Sequence, residues 1–320
     1  MKGFVAPPLT RVALIVVMWA ALIAAPWWLP LIGSYTALGS KVLIYGIATM
    51  GLNLVLGFTG GLSFGQAAYF GLGAYGAGMT LKYLAPSTPL AILIGTLAGG
   101  LAATLFGPLV MRRRGIYFAM ITIAIGQLLY FVAVRWNNVT GGEDGLAGFG
   151  RQDLHFGSFT IPLTEDNFYY VVLICFTIAV ALAWALLQSP LGHVFVAIRE
   201  NRRRTEFLGI RVERYVWAAF AIAGFITAFA GTLNALLFNF TSPQDLHWIL
   251  SGNFVIMIVL GGMRRFFGPL LGALIFVVAQ DYLSGITGNW MTFIGLIFVF
   301  IVLLFPHGLL GMVGRRARVA

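Results

Sequence analysis

Long apolar runs, separated by short polar or Gly/Pro-containing breaks, follow one another along almost the whole of this 320-residue chain. About 20 residues at a rise of about 1.5 Å cross the roughly 30 Å of hydrocarbon in a bilayer, so each run suits one helix. Only 9% of the residues are charged, whereas soluble domains carry about a quarter. This composition excludes a soluble enzyme, a disordered chain and a nucleic-acid-binding protein. It predicts an all-α, polytopic membrane protein with a single transmembrane domain over residues 1–320.

The runs predict about ten transmembrane helices, within a range of about 8 to 10. The run 250–262 is short for a lipid-facing helix, which favours a broken or re-entrant piece. Residues 1–32 are expected to be a retained helix, with a cleaved signal sequence as the alternative. The candidate spans are residues 12–32, 39–57, 63–84, 88–110, 115–135, 168–188, 215–240, 250–262, 267–283 and 290–306.

The charged residues divide unevenly between the two sides that these spans define. With a cytoplasmic N-terminus, 16 of the 20 basic residues lie inside, and seven of the ten acidic residues lie outside. Such a split satisfies the positive-inside rule and predicts that both termini are cytoplasmic. The inner basic residues are Lys2, Arg11, Arg112, Arg113, Arg114, Arg199, Arg202, Arg203, Arg204, Arg211, Arg214, Arg264, Arg265, Arg315, Arg316 and Arg318.

The sequence pattern indicates no side chains suited to proton transport, catalysis or metal binding in the interior of the predicted spans. Every Asp, Glu and His is expected in a loop or at a span end, which disfavours a proton-driven carrier. No Walker A loop, His-Glu-x-x-His motif or Cys/His cluster is present, so we expect no catalytic residue and no metal site. If ATP drives this protein, another chain binds it. The single cysteine, Cys175, excludes an intramolecular disulfide.

The stretch 57–78 is unusually rich in glycine and predicts a helix break at residues 57–61. Ser63 and Gln66 have the spacing of a capping box for the next helix. The exposed amides of such a broken helix attract a carboxylate, whereas small residues at 67, 71, 74 and 78 are equally explained by close helix packing. Polar side chains that line a pathway or form helix–helix hydrogen bonds are Asn53, Ser63, Gln66, Tyr69, Tyr75, Thr122 and Gln127.

Two polar segments interrupt the apolar pattern. Residues 189–214 form an inner loop in which Leu191, Val194, Phe195 and Ile198 recur at helical spacing. An interfacial helix docked on a partner protein explains this stripe, and a basic loop on anionic lipid is the alternative. Residues 136–167 form the longest outer segment, suited to a docking loop or lid, or to an ordinary solvated turn.

In these segments the chain resembles the LivM-type permease subunit of bacterial branched-chain amino-acid ABC importers, from about residue 46 to 311. Each shared stretch is short, but together and in this order they are specific. The stretches are Gly-Leu-Asn-Leu-Val-Leu-Gly (51–57), the glycine-rich segment 57–78, Arg-Gly-Ile-Tyr-Phe-Ala-Met (114–120), Thr-Gly-Gly (140–142), Asp-Gly-Leu (144–146), residues 197–209, Leu-Gly-Gly (260–262) and Gly-Pro (268–269).

The resemblance implies an ATP-driven, binding-protein-dependent importer of the bacterial inner membrane, in which this chain forms half of the pathway. Its partners would be a LivH-type second permease, two ATPase subunits that hold ATP and Mg, a periplasmic binding protein and membrane lipid. This chain itself would bind no cofactor and no nucleic acid. The implied ATPase-coupling residues are Ala197, Ile198, Arg199, Glu200, Asn201, Glu206 and Gly209, and the implied binding-protein contacts are Thr140, Gly141, Gly142 and Asp144.

The chain departs from the family pattern at three places. The family often has Gly-Gly-x-Gly where this chain has Gly261-Gly262-Met263-Arg264, followed by Arg265. It often has Glu where Asn253 stands, and Pro-Arg-Gly-Leu where residues 306–309 read Pro-His-Gly-Leu. Because this glutamate is absent, the resemblance does not identify the transported solute.

Three other functions compete with the importer of branched-chain amino acids. A related permease for urea, short amides or other amino acids shares the scaffold. A stand-alone secondary carrier or channel would move solute without ATPases. A membrane-embedded enzyme would need a convergent polar cluster, which the sequence pattern does not contain.

Overall fold

The computed structural model describes residues 18–156, 159–304 and 308–310. Within these ranges ten helices have 14 or more residues. They are α1 (Thr36–Asn53), α2 (Gln66–Met79), α3 (Thr88–Val110), α4 (Ile116–Arg135), α5 (Glu165–Gln188), α6 (Pro190–Phe207), α7 (Val212–Phe238), α8 (Trp248–Gly261), α9 (Gly268–Ile286) and α10 (Trp290–Leu304).

Shorter elements join these helices. Two strands, β1 (Leu154–Phe156) and β2 (Phe159–Ile161), pair antiparallel in the segment between α4 and α5. This hairpin is a small departure from the all-α expectation. The remaining elements are the helical turns Ala25–Trp28 and Asn137–Thr140, the 3₁₀ turns Pro30–Ile32, Gly142–Asp144 and Pro243–Leu246, and the π-helical turns Leu54–Thr59 and Thr80–Leu84.

The helices confirm an all-α, polytopic membrane protein. In the described part of the chain, six helices are long and apolar enough to span a membrane: α1 with its π-helical extension, α3, α4, α5, α7 and α9. The apolar helices α8 and α10 are shorter. Each predicted span from 39–57 onward coincides with a helix. The first predicted span, 12–32, lies partly outside the described residues; its described part is helical at residues 18–23 and then continues as the turn Ala25–Trp28 and the 3₁₀ turn Pro30–Ile32.

Helices α1 and α7 occupy the centre of the bundle. In their most apolar 18-residue stretches, 83% and 61% of the residues are buried, against 28–33% in the other four spanning helices. Small residues let α7 approach its neighbours closely. A β-carbon at Gly231 of α7 would lie against the carbonyl oxygen of Phe70 in α2, and one at Gly224 would meet Ala103 of α3. The backbones of α2, α3 and α7 therefore pack without intervening side chains.

The connection between α7 and α8 folds back into the bundle instead of running over its surface. A β-carbon at Gly71, in the middle of α2, would lie 2.5 Å from Leu246 Cγ of this connection. Thr241 forms an isolated β-bridge with Leu146, which ties the connection to the segment between α4 and α5. Helix α8 is continuous, so the expected break within 250–262 is wrong, whereas a re-entrant piece stays a prediction. We call the segment before α8, residues 239–247, the re-entrant connection because it turns back against α2.

Replacing Gly231 with Ala tests the close approach of α2 and α7. The added methyl group meets rigid backbone, so we expect a loss of about 1–3 kcal/mol of stability, seen as a lower melting temperature of the purified protein. Gly252→Ala is the matched control, because nothing lies within 4 Å of a β-carbon there. Equal melting temperatures for the two variants would contradict this packing.

Candidate functional site

The predicted helix break lies at the end of α1 and is confirmed. The α-helix passes into the π-helical turn Leu54–Thr59, and Gly60 then adopts a left-handed conformation with φ of 80°. Thr59 donates its hydroxyl hydrogen to Val55 O over 2.7 Å, which helps to close this turn. Helix α2 begins only at Gln66. The chain therefore crosses residues 60–65 without helical hydrogen bonds, in a segment that we call the helix break.

Hydroxyl groups from three parts of the chain satisfy the amides at the helix break. Phe64 N–H donates to Thr122 Oγ1 of α4 over 3.2 Å, and Ala67 N–H donates to Ser251 Oγ of α8 over 2.8 Å. Gly65 N–H donates to Ser63 Oγ over 3.4 Å. The predicted capping box is therefore wrong, because Gly65 caps α2 and makes no side-chain cap bond. These occupied amides support the packing interpretation over direct binding of a carboxylate.

Three buried polar side chains, two next to the helix break and one further along α2, carry atoms without a hydrogen-bond partner among the described residues. Gln66 Oε1 accepts the hydroxyl hydrogen of Thr227 over 3.3 Å, and Asn53 Nδ2 donates to Arg265 O over 3.4 Å. Among the described residues, Gln66 Nε2, Asn53 Oδ1 and Tyr75 Oη are buried without a hydrogen-bond partner. Buried polar atoms are nearly always paired, so such orphans point to a bound molecule or a second conformation.

Three of the other predicted pathway residues take part in hydrogen bonds or packing that hold the fold together. Ser63 and Thr122 hold the helix break. The Tyr69 ring packs edge-on against Phe220 with centroids 5.6 Å apart. Gln127 is half-buried on α4. The fold thus brings Ser63, Gln66 and Thr122 together at the break, whereas Tyr75 lies more than two turns further along α2.

Residues that the sequence analysis missed complete this site. Thr227 and Ser251 were overlooked because single hydroxyl residues in apolar runs are common. Asp245 was assigned to an outer loop, but it belongs to the re-entrant connection, where its Oδ2 accepts from Ser242 N–H over 3.1 Å and from Thr241 Oγ1 over 3.2 Å. The Ser242-x-x-Asp245 spacing is the capping-box signal that could have revealed it.

Helix α6 forms where the amphipathic stripe predicts a helix. Phe195 and Ile198 are buried, Val194 is half-buried and Leu191 is exposed. The helix is kinked at Asn201, whose φ and ψ are −156° and 94°. Asn201 Oδ1 accepts from Arg204 N–H over 3.0 Å and so caps the second piece. The segment is therefore two short helices with a hinge between them.

Arg199 joins α6 to the helix break. Its guanidinium donates to the carbonyl oxygen of Gly57, one of the carbonyls freed where the α-helix ends. A β-carbon at Gly60 would lie 3.3 Å from Arg199 Cγ. Burial lowers the pKa of Arg199, and the nearby positive charge of Arg264 lowers it further. Arg199 therefore contacts the chain at both Gly57 and Gly60.

The remaining predicted coupling residues surround this contact. Ala197 is half-buried, and Glu200 is exposed. Glu206 Oε1 forms ion pairs with Arg114 over 3.0 Å and Arg202 over 3.1 Å. Gly209 follows α6 in a left-handed conformation with φ of 81°, which favours glycine.

The predicted docking residues lie in a compact turn after α4. Thr140 is buried, and its hydroxyl hydrogen bonds with Ala133 O (2.6 Å) and Trp136 O (2.8 Å). Gly141 and Gly142 both have positive φ, which the turn requires. Asp144 is exposed. The first three residues therefore shape the turn, and Asp144 presents its carboxylate to a partner or to solvent.

Arg264 stands in a backbone conformation that disfavours it. Its φ is 75°, a left-handed value, at the position where the family often has glycine. Arg264 and Arg265 connect α8 to α9, and the carbonyl of Arg265 is the one that Asn53 contacts. His307, which departs from the family pattern, lies outside the described ranges. Among the described residues, no group of three His, Cys, Asp or Glu side chains could hold a metal ion.

A bundle of apolar helices, broken at a buried turn that contacts an amphipathic surface helix, is the architecture of a polytopic permease. A family model for the permease component of branched-chain amino acid transport systems matches residues 34–304. The chain belongs to this family. The predictions of a LivM-type permease and of a transport component rather than an enzyme are therefore confirmed.

Individual relatives agree with this assignment. The high-affinity branched-chain amino acid transport system permease protein LivM of Escherichia coli K12 is 28% identical over 314 residues, which cover 92% of this chain and 74% of the relative. The corresponding BraD protein of Pseudomonas aeruginosa is 22% identical over 83% of this chain and 91% of its own. A ribose import permease, RbsC of Haemophilus influenzae, is 25% identical over 58% of this chain and 57% of its own. No solved structure gives a significant match.

Replacing Ser251 with Ala tests how the helix break is held. The buried Ala67 N–H would lose its acceptor, which costs about 1–3 kcal/mol, so we expect a lower melting temperature of the purified protein. Ser284→Ala is the control, because that exposed hydroxyl bonds only to Asp281 O. A Ser251→Ala variant as stable as Ser284→Ala would show that the amide needs no such partner.

Proposed function

We propose that the chain is the inner-membrane permease subunit of an ATP-driven, binding-protein-dependent importer of branched-chain amino acids, and that it forms half of the translocation pathway. The observation that carries this proposal is the contact between Arg199 of α6 and the carbonyl of Gly57 at the helix break. This contact joins a surface helix suited to a partner protein to the interior of the bundle. The names of the LivM and BraD relatives support the solute class.

The proposed topology has about ten transmembrane helices with both termini in the cytoplasm. The alternation of the helices along the chain puts α6 on the same side as the basic turn at 264 and 265. The excess of Arg and Lys on that side supports a cytoplasmic location. Residues 136–167 then face the periplasm.

Four partners complete the proposed assembly: a LivH-type second permease, two ATPase subunits and a periplasmic binding protein. ATP and Mg belong to the ATPase subunits, and this chain binds no cofactor. The hinged helix α6, within the coupling loop 189–214, docks on an ATPase subunit. The outer turn at residues 140–144 contacts the binding protein, with Asp144 as its exposed charge.

The proposed mechanism is a change between two packings of the same helices. ATP binding closes the ATPase subunits and displaces α6, and Arg199 moves residues 57–60 with it. The helix break is hydrogen bonded to α4 through Thr122 and to α8 through Ser251. A displacement at residue 57 therefore reaches several helices at once, and the pathway changes from outward to inward access.

The pathway itself is proposed to run beside the helix break. Asn53, Gln66 and Tyr75 carry buried polar atoms that have no partner among the described residues, which suits intermittent contact with a solute. Gln127 of α4 adds a half-buried amide. Ser63, Tyr69 and Thr122 position these groups by packing and hydrogen bonds.

Uptake into proteoliposomes tests the proposed function. The full chain is reconstituted with its sister permease, ATPase subunits and binding protein, and radiolabelled leucine uptake is measured with and without ATP. We expect ATP-dependent uptake that unlabelled isoleucine and valine suppress. Ribose, urea and acetamide serve as competing solutes, and suppression by one of these alone would transfer the assignment to that class. Uptake by this chain without ATPases would identify a stand-alone carrier or channel.

Replacing Arg199 and Glu200 with Ala tests the coupling role. We expect ATP hydrolysis to continue while uptake falls, because the ATPase would no longer move the helix break; binding of solute by the external binding protein should be unchanged. The pair Glu213→Ala and Arg214→Ala, at the start of α7, is the control with the same change in charge. Normal uptake by the Arg199/Glu200 variant at equal expression would remove the coupling assignment.

A further inference from the structure

A small cavity opens at the end of the bundle that carries α6. Its volume is about 190 Å³, and it lies between α6, the start of α4 and the helix break. Four arginines line it together with two backbone glycines: Arg113, Arg114, Arg199, Arg202, Gly60 and Gly61. Of the residues that the structure describes, no acidic side chain lines this cavity.

The positive charge around the cavity is largely uncompensated. Glu206 is the only acidic partner of these arginines in ion pairs among the described residues, and it is shared between Arg114 and Arg202. Four guanidinium groups thus face one carboxylate. Arg199 makes its hydrogen bond to a backbone carbonyl, and within the described part of the chain it forms no ion pair. Cationic groups held this close to one another repel unless an anion lies between them.

Arg202 provides a second and independent sign of a missing partner. Its side chain is only 16% exposed, and its Nε donates to Glu206 Oε1. Its Nη2 is buried and has no hydrogen-bond partner among the described residues. A guanidinium has five N–H donors in a fixed fork and accepts no hydrogen bonds, so only an acceptor can satisfy this atom.

The start of α4 adds donors and an apolar surface. Gly115, the residue before α4, and Phe118 of its first turn also line the cavity. The first N–H groups of a helix lack intrahelical acceptors and favour negative charge. On the outer face of the same turns, Ile116, Tyr117 and Met120 are 71%, 67% and 58% exposed. An apolar face beside a basic cavity is complementary to a phospholipid, whose acyl chains adjoin a charged headgroup.

We propose that this cavity binds the phosphate group of an anionic phospholipid, whose acyl chains lie along the exposed face of α4. Arginine is the side chain best suited to a phosphate, because its planar fork forms two parallel hydrogen bonds with phosphate oxygens. A zwitterionic lipid cancels less of the excess charge, so an anionic headgroup is preferred. The bound phosphate holds α6 against the helix break through Arg199 and Arg202. This lipid site goes beyond the proposed function, since lipid binding is measurable without transport.

Lipid binding by native mass spectrometry tests the proposal. The full chain in detergent is titrated with phosphatidylglycerol and, separately, with phosphatidylcholine of the same acyl chains. We expect at least one tightly retained phosphatidylglycerol and weaker retention of phosphatidylcholine. Arg202→Gln should weaken phosphatidylglycerol binding roughly tenfold, the effect of losing one charge-assisted hydrogen bond. Arg203→Gln is the matched control, because the neighbouring arginine does not line the cavity and should change binding less than twofold.

Two further variants test the same cavity. Arg113→Gln removes an exposed charge from its lining and replaces Arg202→Gln in the test if that variant fails to fold. Arg202→Lys should regain part of the phosphatidylglycerol affinity that Arg202→Gln loses. Equal retention of both lipids, or equal loss in the Arg202 and Arg203 variants, would overturn the proposal. So would saturation by inorganic phosphate with no preference for phosphatidylglycerol. Release of the lipid when ATPase subunits bind would overturn it as well, because a carboxylate of the partner would then fill the cavity.

Discussion

The break between α1 and α2 is the point on which the rest of the structure depends. A chain that spans a membrane must satisfy its backbone hydrogen bonds internally, and an interrupted helix leaves amides and carbonyls without partners. Here hydroxyls of Thr122 and Ser251 accept from the amides, and the guanidinium of Arg199 donates to the carbonyl of Gly57. Helices α4, α6 and α8 are thereby fastened to one irregular segment. The interruption is stable only because distant helices hold it.

The same arrangement suits the proposed coupling, in which ATPase subunits on other chains displace a surface helix of this permease. The guanidinium of Arg199 joins the surface helix α6 to the helix break, and the kink at Asn201 divides α6 into two parts that can tilt separately. Close packing of α2, α3 and α7 through glycine provides a rigid body against which the break can move. A packed core that is not continuously deformable converts a small displacement into a change between discrete packings.

The re-entrant connection before α8 shows where sequence patterns fail. Asp245 follows a helix and precedes another, so a hydropathy pattern assigns it to a surface loop. The observed connection packs against Gly71 in the middle of α2, because glycine there leaves room for Leu246. Arg264 illustrates the converse case. Its left-handed backbone explains why the family often has glycine at this position, and only the structure reveals that conformation.

The sequence by itself determined the elements. It indicates where the membrane helices lie, that the chain is interrupted after α1, and that residues 190–198 form an amphipathic helix. These features follow from run length, glycine content and periodicity, which are local properties of the chain. Tertiary structure alone decided which groups close the break. The contacts Phe64 to Thr122, Gly57 to Arg199, Gln66 to Thr227 and Ala67 to Ser251 join residues 58, 142, 161 and 184 positions apart. Any buried hydroxyl is a chemically adequate partner for an amide, so only the packing of the helices selects among them.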